Sequence, residues 1–160
     1  MSSVALTREP SADLGWVRRI AKTDAGWAIT FVRVSLGVVM FPHGAQKALG
    51  WFGGGGVSGT VAFFQNVLHV PAAVTLLVIT AEFLGALGLI LGLGTRIAAA
   101  GIGAVMLGAI FMAHLSQGFF MDWAGTMTGE GFEYHLLVLG MVGALVIAGG
   151  GRASVDRRLG

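Results

Sequence analysis

The chain has 160 residues, of which 55% are hydrophobic and 11% charged, and its formal net charge is +2. A soluble domain carries about 25% charged residues, so composition excludes a water-dispersed monomer and indicates a small polytopic membrane protein. The absence of cysteine removes disulfides, Cys-ligated iron–sulfur clusters and thiol redox chemistry, and so small a net charge is no nucleic-acid signature.

Residues 1–25 form a tail with no apolar core. It carries acidic Glu9, Asp13 and Asp24, so it is not read as a cleavable signal peptide. Its last part mixes Leu14, Trp16, Val17 and Ile20 with Arg18, Arg19 and Lys22, a composition suited either to a membrane-surface segment or to an irregular tail. Four apolar stretches follow, at residues 26–49, 72–93, 97–115 and 132–149. Each approaches the roughly 20 residues a helix needs to cross hydrocarbon. None has the polar stripe of a surface helix. The expected fold is all-α: an integral membrane four-helix bundle over 26–150, flanked by tails at 1–25 and 151–160.

The first stretch holds Arg33 about two turns from its start. Pro42 should bend it near its end, where His43, Gln46 and Lys47 lie. His43 and Lys47, four residues apart, share a face. The next segment opens with Trp51, Phe52 and Gly53 to Gly56. It lacks the Lys-Ser/Thr of a phosphate loop and is expected to be flexible or partly re-entrant, with His69 solvated. The second stretch carries Glu82 near its middle, and Arg96 sits in the link after it. His114 closes the third. The segment after that contains Phe119, Phe120 and Trp123. Glu133, Tyr134 and His135 open the fourth stretch. Glu133 and His135 are about 200° apart on an ideal helix, so one should face the bundle and the other a loop or partner. Glycines within the stretches (Gly85, Gly88, Gly92, Gly101, Gly103, Gly108, Gly140 and Gly143) suit close helix packing, with Gly88 and Gly92 as a small-xxx-small pair.

All Lys and Arg except Arg33 and Lys47 fall in the two tails or at Arg96. The positive-inside rule then places both termini and the Arg96 link in the cytoplasm, and the segments around Gly53 and Trp123 outside. The pattern His-x-x-Gln, Gly-aromatic-Phe, loop and Glu-containing helix occurs twice, from His43 and from His114. A parallel repeat of two hairpins would bring these histidines to one level.

Ionisable groups inside a membrane are costly and mark function by default. Arg33 and Glu82 form an inner set, read as a structural ion pair or proton path. His43, Gln46, Lys47, His114, Glu133, Tyr134 and His135 form an outer set. Neutral His, Gln, Tyr and protonated Lys can hydrogen-bond quinone carbonyls, and a carboxylate beside them can exchange protons. The competing chemistry is a metal held by His43, His114, His135 and Glu133, or haem held by two histidines.

The run Arg33, Phe41-Pro42-His43-Gly44-Ala45-Gln46-Lys47, Gly50-Trp51-Phe52-Gly53-Gly54 resembles the first-span signature of the DoxX family. Ala81-Glu82-Phe83-Leu84-Gly85, Leu93-Gly94-Thr95-Arg96, His114, Gly118-Phe119-Phe120 and Glu133-Tyr134 resemble its later parts, over roughly residues 28 to 150. The resemblance implies a four-helix protein of a bacterial or archaeal inner membrane. The family takes its name from a subunit of an archaeal terminal quinol oxidase and thiosulfate:quinone oxidoreductase system. Other members are linked with membrane-associated oxidoreductase complexes and oxidative-stress resistance. Arg33, His43, Gln46, Lys47, Glu82 and Glu133 match its recurrent polar positions, and His135 departs from them. The expected partners are the lipid bilayer, further copies of the chain or subunits of a membrane complex, and no nucleic acid. Three readings follow: a quinone-binding redox subunit, a non-catalytic membrane anchor or assembly subunit, and a haem- or metal-binding protein. The sequence names no electron donor or acceptor.

Overall fold

The computed structural model describes residues 15–23 and 26–160. The tail residues Arg8, Glu9, Asp13, Leu14 and Asp24 lie outside them. Among the described residues the structure is helical, without strands: α1 (Gly15–Ala21), α2 (Trp27–Leu49), α3 (Gly56–Asn66), α4 (Ala72–Leu91), α5 (Thr95–Ala109), α6 (Glu133–Ala148) and α7 (Asp156–Leu159). Helix α5 runs on through a π turn at Ile110–His114 and a 3-10 turn at Leu115–Gln117. Among the described residues three helical segments are long and apolar enough to cross a membrane: Trp27–Leu49, Ala72–Leu91 and Thr95–Gln117. Helix α6 is apolar but has 16 residues, about 24 Å at 1.5 Å per residue.

Helix α2 packs on α4, α4 on α5, α5 on α6, and α6 returns to α2. Leu36, Met40, Ala86, Leu89, Ile102, Met106, Val138 and Leu145 fill the space between them. Large apolar side chains also cover the outside: Phe31, Leu77, Phe111, Leu137 and Ile147 are each at least 69% exposed. Apolar residues on both faces of the helices are what a lipid solvent requires, so the chain is a membrane protein.

Two glycines absent from the expected packing set bring α2 and α4 together. A Cβ on Gly44 would lie 2.5 Å from Phe83 Cα, and one on Gly37 would lie 2.9 Å from the Ile90 amide nitrogen. Their spacing of seven residues keeps both on one face. Gly103 does this in the core against Val142, at 2.9 Å. The expected pair Gly88 and Gly92 also makes close approaches, Gly88 to the Leu93 carbonyl at 2.9 Å and Gly92 to Ser154 of the C-terminal segment at 2.5 Å. Gly92 has φ +71° and ends α4 as its left-handed cap, a conformation that costs a side chain dearly. Gly108, Gly140 and Gly143 have no neighbour within 4 Å of a built Cβ, so they contribute no close packing within the chain.

The segment after α2 is not the flexible loop that was one of its two expected forms. Trp51–Gly53 forms a 3-10 turn and Gly56–Asn66 forms α3. Its Thr60 is buried, its hydroxyl donates to the Lys47 carbonyl at 3.4 Å, and the helix packs on α2 and α4. The glycines before it hide the helix from propensity arguments, and tertiary packing stabilises it.

The start of α2, the end of α4, the start of α5 and the end of α6 meet at one end of the molecule, beside α1 and α7. This terminal end is tied by the C-terminal segment. Asp156 is buried, and its carboxylate accepts from the Gly94 and Thr95 amides at 2.7 and 2.9 Å. The Gly151 amide donates to Thr23 Oγ1 at 2.6 Å. The opposite, loop end carries α3 and residues 118–132.

Candidate functional site

At the loop end, Met40, His43 and Lys47 occupy one face of α2 at helical spacing. Across from them, at the close contact made by Gly44, stands Glu82 of α4, 3% exposed. Lys47 Nζ lies 2.6 Å from Glu82 Oε2. The expected Arg33–Glu82 pair is not formed. Helices α2 and α4 are antiparallel, and their register puts Arg33 opposite the end of α4. Leu89 and Ile90, which it reaches, are about 11 Å along the axis from Glu82 at helical rise.

Arg33, 1% exposed, instead spends its guanidinium on backbone. Its Nε donates to the Gly150 carbonyl at 2.8 Å and its Nη2 to the Ala153 carbonyl at 2.6 Å. Its Nη1 donates to the Leu89 carbonyl and, at 2.9 Å, to that of Ile90. These groups lie at the ends of α4 and α6, where carbonyls lack helical partners and the helix dipole is negative. A buried cation is thereby satisfied without a carboxylate. Arg96 does likewise with the Val146 and Lys22 carbonyls.

Helix α6 begins where the loop end closes. The ring of its buried His135 lies 4.3 Å, centroid to centroid, from that of His114, tilted by 43°. The π turn at Ile110–His114 changes the register of the α5 extension just before His114. Such turns recur at functional sites. His114 Nδ1 is 2.8 Å from the Glu130 carbonyl, whereas His135 Nδ1 is buried with no hydrogen-bond partner. The Tyr134 hydroxyl points to Met40 Sδ at 3.9 Å.

These groups share one open cavity of about 1020 Å³. Its polar end is lined by His43, Lys47, Glu82, His114, Tyr134 and His135, with Glu130 beside them. The rest is a crevice between α4 and α5, walled by Leu77, Gly85, Gly88, Ile97, Gly101 and Gly108, and bordered at its mouth by Phe63 and Phe64 of α3. Gly85, Gly88 and Gly101 sit where the two helices touch, a Cβ there lying 3.4 to 3.6 Å from the facing helix, whereas Gly108 faces open space.

Two residues of the expected outer set stand apart. The Gln46 side chain donates to the Phe52 carbonyl at 3.2 Å and fixes the turn after α2. Glu133 Oε1 accepts from the Met121 amide at 2.9 Å and from Trp123 Nε1 at 3.2 Å. Glu133 and His135 thus diverge as helix geometry requires, one to the loop and one to the cavity. The metal set His43, His114, His135 and Glu133 is divided accordingly. Among the described residues no three His, Asp or Glu side chains form a metal-ligating group. His43 and His114 both line this cavity, but the segments after them differ, since among the described residues only the first contains an α-helix.

Sequence reasoning placed Glu82 in the wrong set. The signal that locates it is the pair Gly37 and Gly44, which marks the α2 face that meets α4 and so fixes the register.

An apolar-surfaced helical protein with ionisable groups gathered at one end of a lipid-scale crevice belongs to the membrane proteins that hold a hydrophilic site within their helices. A family model for DoxX matches residues 28–115, more than half of the chain, and the chain belongs to the DoxX family. The match runs from α2 to just past His114 and does not extend to Glu133, Tyr134 and His135. No curated protein and no solved structure matches the chain.

Proposed function

We propose that the chain is a quinone-binding subunit of a membrane redox complex, crossing a bacterial or archaeal inner membrane four times with both termini in the cytoplasm. The carrying observation is that six polar side chains from four helical segments end one otherwise apolar cavity, with a buried His135 nitrogen unpartnered there. An orphaned buried polar atom costs about 1–3 kcal/mol, which a ligand oxygen can recover. The distribution of Lys and Arg supports the orientation. Helix α6 supplies the fourth crossing with help from its flanking residues.

In this reading one quinone carbonyl meets Lys47, and the other meets His135 and Tyr134. The apolar tail leaves along the glycine-lined crevice toward lipid. Reduction of a quinone to a quinol takes two electrons and two protons. An electron donor on a partner subunit supplies the electrons, and Glu82 with Lys47 exchanges protons with the ring oxygens. Oxidation runs the same steps in reverse.

The test is protein purified with native lipid, extracted and assayed for quinone, then titrated with a quinone analogue. One quinone per chain, bound at least tenfold more weakly by His135→Ala and by Tyr134→Phe, is the expected result. Unchanged binding in both variants would remove the site. A Soret band in the purified protein would replace quinone by haem. A stoichiometric partner with no bound small molecule would favour the anchor reading.

A further inference from the structure

A second cavity, of about 540 Å³, opens at the terminal end and is lined by Leu91, Arg152, Ser154, Val155, Arg157 and Arg158, together with Ala153. We infer that it binds the phosphate of an anionic phospholipid. The inference is independent of the quinone reading, because nothing in this cavity belongs to the loop-end site.

Three arginines line the space, and among the described residues no ion pair engages them, the pair formed being Lys47–Glu82. The nearby side-chain carboxylate, Asp156, is 4% exposed and directs both oxygens at backbone amides of the α4–α5 turn. It is therefore turned away from the arginines as a hydrogen-bond partner. The fold also holds two of the three in place. Arg152 lies over the Trp27 ring, its guanidinium carbon 5.5 Å from the ring centroid, and Arg157 Nη1 donates to the Arg152 carbonyl at 3.4 Å. Guanidinium forks match phosphate oxygens in pairs.

The walls identify the remainder of the ligand. Leu91, the last residue of apolar α4, is 59% exposed, and Val155 is 38% exposed. Cationic groups thus lie beside bare apolar surface where a 20-residue apolar helix ends, at headgroup depth. A phosphate carrying acyl chains satisfies both halves, and a free phosphate satisfies one. Basic pockets of this kind between helix ends are a recognised mode of lipid binding.

The test is native mass spectrometry of the full chain in detergent, titrated separately with phosphatidylglycerol, phosphatidylcholine and inorganic phosphate. The variant Arg152→Gln/Arg157→Gln/Arg158→Gln is compared with Arg18→Gln/Arg19→Gln, which removes exposed arginines of α1 outside the cavity. The expected result is one phosphatidylglycerol retained in preference to phosphatidylcholine. Affinity should fall roughly fivefold per arginine removed, about a hundredfold for the triple variant, with little loss in the α1 variant. Equal retention of the two lipids, or an equal loss in both variants, would overturn the site. Binding of inorganic phosphate as tight as that of the lipid would overturn the lipid assignment.

Discussion

The Lys47–Glu82 pair separates the stabilising role of the polar cluster from its chemical role. The side chain of Glu82 is 5% exposed and that of Lys47 is 25% exposed, so the two single variants are not equivalent. Lys47→Met strands a carboxylate that water does not reach, and breaking a buried pair this way costs about 3–5 kcal/mol. Glu82→Gln strands an ammonium that can turn toward water by its flexible stem, and about 1–2 kcal/mol is expected, within the usual range for single substitutions. The double variant Lys47→Met/Glu82→Gln leaves no uncompensated charge. It should regain most of the loss, giving a coupling of about 3 kcal/mol, at the upper end of the range for contacting residues. The assay is reversible unfolding of all four proteins in one detergent at one pH, followed by circular dichroism, with quinone-analogue binding measured on the same samples. Recovery of stability without recovery of binding is the expected pattern. Additive losses, or equal costs for the two single variants, would refute the argument that burial of Glu82 depends on Lys47.

Further outcomes follow from other contacts. Arg33→Met removes every donor to the Gly150, Ala153 and Ile90 carbonyls described above, and should cost about 3 kcal/mol or more. Hydrogen exchange should show residues 150–160 losing protection, and Arg33→Lys should not restore it, since an ammonium cannot span the same carbonyls. Gly44→Ala drives a methyl into Phe83 backbone at 2.5 Å and should cost about 1–3 kcal/mol. Gly140→Ala, with open space at its Cβ, should be neutral or slightly stabilising through helix propensity; thermal unfolding of the pair measures the contrast. Gly108→Leu fills the crevice without touching the polar end. It should weaken binding of a long-tailed quinone at least tenfold and leave a tail-less analogue unchanged in the same detergent. Equal effects on both ligands would show that the tail leaves by another route.

Much of this protein was readable without coordinates. Where lipid is the solvent, every apolar residue of a spanning helix is favourable whichever way it faces, so length and composition alone mark the helices at 26–49, 72–93 and 97–115. Shortage of charge makes each polar residue conspicuous, which is why His43, Gln46, Lys47, His114, Glu133, Tyr134 and His135 stood out as a set, of which Gln46 and Glu133 turn to the loops. The DoxX signature around Arg33 and His43 was legible for the same reason.

Partnership was another matter. Nothing in a uniformly apolar helix states which face meets which neighbour, so Arg33 and Glu82, opposite in charge and both deep in their helices, looked like natural partners. The close approach at Gly37 and Gly44 fixes a register that carries them about 18 Å apart along the axis and brings Lys47 to Glu82. Helix α3 was hidden behind four glycines because its stability comes from packing on α2 and α4. The π turn before His114 is a register change that no side-chain pattern encodes. The sequence by itself therefore determined the solvent, the helices and the inventory of polar groups. Only the tertiary structure decided their pairing, because contacts across helices depend on axial register, and register is set by where two backbones can approach.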